Sequence, residues 1–428
     1  MAFFTLLALL FAYFFQPISL SAQDAQNTDH HRHFYTGITM GVVTWEVTTF
    51  IETSQPLRAG IEAEIQQTLQ SVNQRMSTYI PESEVSRFNQ SQSTDWIPIS
   101  PETFAVVQRA QQISQASDGA FDITVQPLVD LWKFGPDKSE FSIPTEQQIE
   151  TCLQFVGYQK LELQSNPPSL KKSDGRLQID LSAIAKGYAV DQVCQTLNRM
   201  EVDNFMVNVG GEVRASGEKA DNEPWLVGIE TPSIGVRSAH QVIELYHQAM
   251  ASSGNYRNFH EADGQQFSHT IDPRTGRPVG NTLAGASVIA TDCMTADAVA
   301  TAIMVLGLEK GIELAKQLNL KAQAIERVGK EMIRSQTDDF PKGLDRRDSD
   351  QSVFRVFAVA SIIFALAIAA MSIGVMFGRE RIKGSCGGIA ALDNPDVAPE
   401  CSLCSRATEC SDLKKELKRR GTPDGTES

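Results

Sequence analysis

Four short segments of this chain gather carboxylates, hydroxyls, a lysine and a histidine where packing alone would not place them. In DLSAIAKGYAVD, Asp180 to Asp191, a strand ends and a helix opens around Ser182, with Lys186 in its first turns. That geometry offers backbone amides and an ammonium to a phosphate. An ordinary capped helix explains the same residues. In TADAVATAIMVLG, which begins at Thr295, helical spacing sets Asp297 and Thr301 one turn apart on one face. A carboxylate and a hydroxyl so placed suit a hard cation, because Mg²⁺ takes oxygen ligands and keeps positions open for substrate phosphates. Thr301 bonding back to a helix carbonyl is the plainer alternative. SHTIDPRTGRPVG packs His269, Asp272, Pro273, Arg274 and Gly276 into a loop with strong turn chemistry, where a lone histidine is commonly just exposed. DGAFDITVQPLV reads as a turn at Asp118 and Gly119, with a strand from Asp122.

The elements that must hold these groups are partly visible in the pattern. From Phe34 the residues alternate, as in ITMGVVTWEVTTFIE, predicting a strand or hairpin. Ile61, Ile65, Leu69, Val72 and Met76 recur at three- and four-residue steps and predict an amphipathic helix. Ser100 followed by Pro101 makes a cap and first helical position for a helix that stops near Gly119. NFMVNVG, WLVGIE and HQVIELYHQAMASSG are strand-like. Strands and helices mixed without regular alternation predict an α+β class. The sequence carries no internal repeat and no glycine-rich nucleotide fingerprint.

Two apolar segments divide the chain by compartment. Residues 1–22 form an apolar stretch ending in small residues, read as a secretory signal or an uncleaved N-terminal anchor. Val356 to Phe377 is an uncharged run of about 22 residues, roughly 33 Å as a helix, enough to cross a hydrocarbon core. Arg379, Arg381 and Lys383 follow at once and direct the C-terminal tail to the cytoplasm. Residues 23–33, with His30, His31 and His33, read as a solvated linker rather than a metal tract. Between the apolar segments lie about 300 residues, enough for one large or two ordinary domains. The net charge of -14 repels a phosphate backbone and excludes nucleic acid as the default partner. Cys152, Cys194 and Cys293 are scattered through the exported part and read as buried thiols, a Cys152–Cys194 disulfide being the alternative. Cys386, Cys401, Cys404 and Cys410 crowd the tail, where soft thiolates in a reducing compartment point to iron, zinc or copper.

Taken in order, GITMG, RMSTY, GAFD, DLSAIAKGYAVD, VNVGGE, SGNYRN, SHTIDPRTGRP and TADAVAT resemble the ApbE family of FAD:protein FMN transferases, over roughly residues 34–330. The resemblance implies a T-fold-related domain that binds FAD, cuts its pyrophosphate and attaches FMN to a threonine or serine of an acceptor protein, releasing AMP. By the family pattern Mg²⁺ would be held by Asp297, Thr301 and the backbone carbonyl of Ala183. FAD contacts carried over would be Met40, Tyr79, Ala120, Phe121, Asp122, Asp180, Lys186 and Ile271. Lys186 would clamp the phosphates, and His269 would accept the proton of the attacking hydroxyl. Gln126 and Ser182 stand where the family commonly has glycine.

The span and the run GRERIKGSCGG, with the cysteines behind it, resemble the NqrM family, a maturation factor for the Na⁺-translocating NADH:quinone oxidoreductase implicated in iron delivery. The expected organisation is a signal at 1–22, a linker at 23–33, a transferase domain at 34–335, a linker at 336–352, a transmembrane helix at 353–377 and a Cys-rich cytoplasmic tail at 378–428. The transferase domain would then be periplasmic on a bacterial inner membrane, acting on flavoprotein subunits of that pump. An FAD pyrophosphatase and a non-enzymatic FAD-binding or metal-delivery factor are the alternative functions.

Overall fold

The computed structural model describes residues 30–344 apart from 53–59, 137–138, 233–238, 256–258, 263, 281 and 330. All of them fall in the first of two units into which the chain divides, Met1–Leu344 and Asp345–Ser428. The signal at 1–22, the apolar run at 353–377 and the tail cysteines lie outside the described residues. Among those described, no helix is long and apolar enough to cross a membrane.

The alternating segment forms the predicted hairpin, β1 (His30–Thr39) and β2 (Val43–Glu52), joined through Met40 and Gly41, both at positive φ. The strand begins at His30, so the last four residues of the expected linker are paired: His31 faces Ile51 and His33 faces Thr49. Their polarity reflects an edge strand with solvent beside it. A small sheet follows, with β3 (Ile97–Pro98), β4 (Leu161–Ser165) and β5 (Pro168–Lys172). Next come β6 (Phe205–Val209), β7 (Glu212–Ser216), β8 (Trp225–Glu230), β9 (Ala239–Leu245) and β10 (Ala249–Gly254). The short hairpins β11 (Phe259–Ala262) with β12 (Gln265–Ser268) and β13 (Ile271–Asp272) with β14 (Arg277–Pro278) precede β15 (Leu283–Ala290), β16 (Lys321–Val328) and β17 (Glu331–Gln336). Eight of these make one antiparallel sheet in the order β1-β2-β6-β7-β10-β15-β16-β17.

The helices are α1 (Ile61–Met76), α2 (Glu84–Gln90), α3 (Pro101–Ala116), α4 (Gln126–Leu131), α5 (Glu146–Leu153), α6 (Ser182–Arg199), α7 (Cys293–Leu306) and α8 (Leu308–Gln317). The five periodic apolar residues of α1 are its buried stripe. Ser100 caps α3 by accepting from the Thr103 N–H, as its sequence predicts. One core cluster joins α1, α3, α6, α7 and α8 to the sheet; a second lies between the sheet and the β8–β9 hairpin, around Trp225, Ile243 and Met250.

Two local expectations differ. Asp122 opens no strand: its carboxylate caps a turn of 3₁₀ helix at Ile123–Val125, and α4 follows with Pro127 in its first turn. Likewise no strand precedes α6, because residues 177–181 run irregularly into it. Cys152, Cys194 and Cys293 are free thiols, the last two buried.

Candidate active site

The crossing of α6 and α7 creates the site. A Cβ on Gly187 would lie 2.3 Å from the Cys293 carbonyl oxygen, so only glycine lets the two helices approach this closely. Asp191, one turn further along α6, accepts from the backbone N–H groups of Cys293 at 3.0 Å and Met294 at 2.9 Å, and pairs with Arg214. It thereby pins the start of α7 to α6, while Asp292 supplies the helix cap.

This contact sets Lys186 beside Asp297. The Lys186 ammonium lies 3.2 Å from Asp297 Oδ1 and 3.0 Å from Glu212 Oε1. Both carboxylates are almost fully buried. Burial alone would lower the lysine pKa, but Asp297 and Glu212 outweigh it and hold the group protonated, well above the usual lysine range. Burial pushes Glu212 up, against the pull of Lys186. Glu212 Oε2 is buried without a hydrogen-bond partner. The sequence pattern did not single out Glu212 as a site residue; the available signal was a carboxylate directly after Gly210-Gly211 at the start of a strand whose alternate positions are buried.

A cleft of about 490 Å³ opens over this cluster. It brings together Tyr79, Ala120, Phe121, Asp122, Asp180, Ala183, Lys186, His269, Ile271, Asp297 and Thr301, nearly the whole set named from sequence. Met40 is not in its lining; it sits in the β1–β2 turn, packed against the main core. Phe134 lines the cleft too and had no signal of its own, while Ser253, also in the lining, opens the SGNYRN motif.

The carboxylates of the cleft have unlike duties. Asp122 accepts from the Thr124 N–H and hydroxyl at 2.8 and 2.7 Å and from the Tyr158 N–H at 2.6 Å. Burial raises its pKa against those bonds. Asp180, just ahead of the Leu181 cap position, accepts from the Ser182 N–H and hydroxyl at 2.8 and 2.9 Å and so satisfies the first N–H of α6; its pKa too is raised by burial. These two brace backbone, whereas Asp297 and Glu212 face a cation. His269 stands just before β13, its ring edge-on to Phe134 at 6.3 Å, and Phe134 in turn stacks on His260 at 4.4 Å. The DPRTG turn behind it is locked by Arg274, which donates to both oxygens of Asp272, and by the Trp132 indole, which donates to the Gly276 carbonyl. Gln126 is buried and donates to Asp130.

The residues fit a hard cation. Asp297, the Thr301 hydroxyl one turn on, and the Ser253 hydroxyl 3.4 Å from it make an all-oxygen set. The Gly187 N–H donates to Asp297 Oδ2 at 3.0 Å, and Ala183, one turn earlier on α6, also lines the cleft. Among the described residues no cluster of three or more His, Cys, Asp or Glu is arranged for a metal, so a thiolate or imidazole centre is not built here. The four tail cysteines lie outside the described residues.

Residues 40–325 match the sequence model of the ApbE family, and residues 375–423 match that of (Na+)-NQR maturation NqrM. An FAD:protein FMN transferase of Vibrio cholerae is 42% identical over 256 residues, covering 60% of this chain and 76% of the relative. One of Haemophilus influenzae is 40% identical, covering 65% and 82%. Among solved structures, the flavin transferase ApbE of Vibrio cholerae superposes with a TM-score of 0.68 at 36% identity, over 74% of this chain and 100% of that one. The apo flavinyl transferase ApbE of Pseudomonas stutzeri gives 0.66 at 34%, over 72% and 95%.

Proposed function

This chain belongs to the ApbE family, with an NqrM-like module fused behind the ApbE domain, and from that membership we propose that it moves the FMN half of FAD onto a threonine or serine of an acceptor flavoprotein, releasing AMP. Flavin transferase activity is common to the relatives that match it, at 42% and 40% identity. The observation that carries the reading is the Lys186–Asp297–Glu212 cluster at the floor of a cleft large enough for a dinucleotide.

The acceptor oxygen forms a bond to the FMN phosphorus as the bond from that phosphorus to the AMP oxygen breaks, and the hydroxyl proton passes to His269. Lys186 stays protonated and holds the pyrophosphate by charge. Tyr79, Ala120, Phe121 and Ile271 line the room for the rings, while Asp122 and Asp180 keep the walls in place through their backbone bonds. Asp297, Thr301 and the Ala183 carbonyl would hold Mg²⁺, which when bound neutralises charge gathering on the phosphoryl oxygens.

The wider assignment rests on the fused module. A periplasmic transferase domain, an inner-membrane anchor at 353–377 and a cytoplasmic tail in which Cys386, Cys401, Cys404 and Cys410 handle iron would place two maturation steps for the Na⁺-translocating NADH:quinone oxidoreductase on one chain. The test is to incubate the full chain in detergent with FAD, Mg²⁺ and a flavin-carrying subunit of that pump. A fluorescent acceptor band that survives denaturation, with a mass increase matching FMN and loss on chelation, is the expected result. Free FMN and AMP without a band would replace transfer by hydrolysis, and unchanged FAD would remove the enzyme assignment.

A further inference from the structure

A second cavity, about 340 Å³, lies between the central sheet and the β8–β9 hairpin. Every residue of β8 from Leu226 to Glu230 lines it. Side chains of a strand point alternately to opposite faces, so a cavity that touches five in succession runs along the strand's edge. Among the described residues β8 pairs with β9 alone, so over Leu226–Ile229 no strand lies on its other edge, where an added strand could pair.

This second cavity meets the FAD cleft through a split in the sheet. Strands β7 and β10 are in register only at Val213 with Met250 and Arg214 with Ala249. No pair is made beyond Val213 and Met250 toward Glu212 and Ala251, and Gly210, Ser252, Ser253 and Gly254 line both cavities. Glu212 stands at the same split on the cleft side, with its Oε1 on the Lys186 ammonium. The residues that the two cavities share thus border the charged floor of the cleft. With FAD filling the first cavity, a hydroxyl arriving from the second would emerge beside the pyrophosphate.

We propose that the second cavity receives the acceptor polypeptide as an extended segment added along Leu226–Ile229 on the edge of β8 opposite β9, with its threonine or serine hydroxyl passing between Gly210 and Ser252–Gly254 to the phosphorus. The proposal rests on the transferase reading and adds the acceptor's path to it. The lining chemistry favours a peptide over a second nucleotide: among the described residues Glu230 is the one charged residue in it, and Asn208, Ser287 and Gln323 offer neutral hydrogen-bonding groups. Glycines at 210, 228, 254 and 285 let another backbone come close and favour small side chains beside the reacting hydroxyl.

Gly285→Leu tests this. Gly285 lines the second cavity and not the first, is outside the positive-φ glycines, and a Cβ there would meet the Ser253 carbonyl at 3.4 Å and Pro232 at 3.5 Å, ordinary contacts. In the full chain with FAD, Mg²⁺ and a flavin-carrying subunit of the pump, the variant should bind FAD with wild-type affinity, while its KM for the acceptor rises about tenfold or more, the scale of losing a central interface contact. An unchanged acceptor KM overturns the proposal. Should Gly285→Leu lose FAD binding as well, Leu226→Lys, on the exposed lip of the groove, decides by the same two readings. Wild-type protein that transfers no FMN at all would instead overturn the transferase reading, and the acceptor path with it.

Discussion

Lys186 and Lys172 each bring an ammonium against buried groups, and their partners differ. In the cleft, Lys186 faces the carboxylates of Glu212 and Asp297. Behind it, in the small β3–β5 sheet, Lys172 is fully buried and donates to the carbonyls of Ser91 at 2.7 Å, Leu177 at 3.0 Å and Gly175 at 3.2 Å, with its ammonium 4.7 Å from the Phe88 ring. Burial lowers the Lys172 pKa to about 8, only partly offset by Asp174. Burial acts on Lys186 as well, but two carboxylates reverse it. Neutral acceptors therefore make a tether, and charged acceptors make a site. The Lys172 tether gathers the end of α2 and residues 173–177, the segment that leads to Asp180 and the start of α6. The Lys186 cluster instead leaves a buried oxygen, Glu212 Oε2, without a partner, which is the mark of a place built for something that binds.

The largest effect should come from removing charge at the functional pole. Asp297→Ala deletes the carboxylate that Lys186 and the Gly187 N–H share, and with it the proposed cation ligand. Single-turnover transfer of FMN should fall about 10³-fold, the scale on which charge-stabilising groups act in phosphoryl transfer. Transfer at the wild-type rate would erase the distinction between the two lysine environments, because the charged one would then be no more than another tether.

Much of this contrast was legible in the chain, and the failures have physical causes. Lys186, Asp297, Thr301 and His269 stood out because each breaks a local apolar or turn pattern, and the cleft holds all four. Helix α7 starts at Cys293, two residues before the predicted Thr295, because Asp292 is the cap and accepts from the Thr295 N–H. The strand expected at Asp122 failed since Ile123, Thr124 and Val125 have the residue types of a strand, while the Asp122 side chain folds back onto the Thr124 N–H and Pro127 starts a helix. The histidines at 30–33 looked like linker because an edge strand need not be apolar. Lys172 could not be read at all, and nothing in the pattern marked Glu212, the last residue of VNVGGE, as a site residue. Each acquires its role from partners distant in sequence: Glu212 from Lys186 and Lys172 from Ser91. Met40 matches the family motif in sequence, yet the structure keeps it in a turn outside the cleft lining.

The structural pole predicts a different loss. Lys172→Met keeps most of the side-chain volume but strips three carbonyls of their donor, that of Leu177 buried and those of Ser91 and Gly175 half-buried, and should destabilise the fold by about 3 kcal/mol in denaturant unfolding of the full chain. Below the unfolding transition, FMN transfer by the variant should stay near wild type, since Lys172 does not line the cleft. A variant that is stable but inactive would join the two lysines into one network and break the comparison.

The smallest effect, and the sharpest on the comparison, is its pH dependence. Lys172 has a folded pKa of about 8 against the usual lysine value of 10.5. Between those values the unfolded chain binds the proton that the folded chain has shed, so this lysine contributes stability that is present above pH 10.5 and lost as pH falls through about 8. The stability gap between wild type and Lys172→Met should therefore widen from pH 8 to pH 10, by about 1–2 kcal/mol at the upper end. The comparison with a variant that lacks the group cancels the titrations the two chains share. A gap that stays constant would mean that the three carbonyls fully offset the burial of the Lys172 ammonium, and a gap that narrows would mean that they hold it above its usual range, as the two carboxylates hold Lys186.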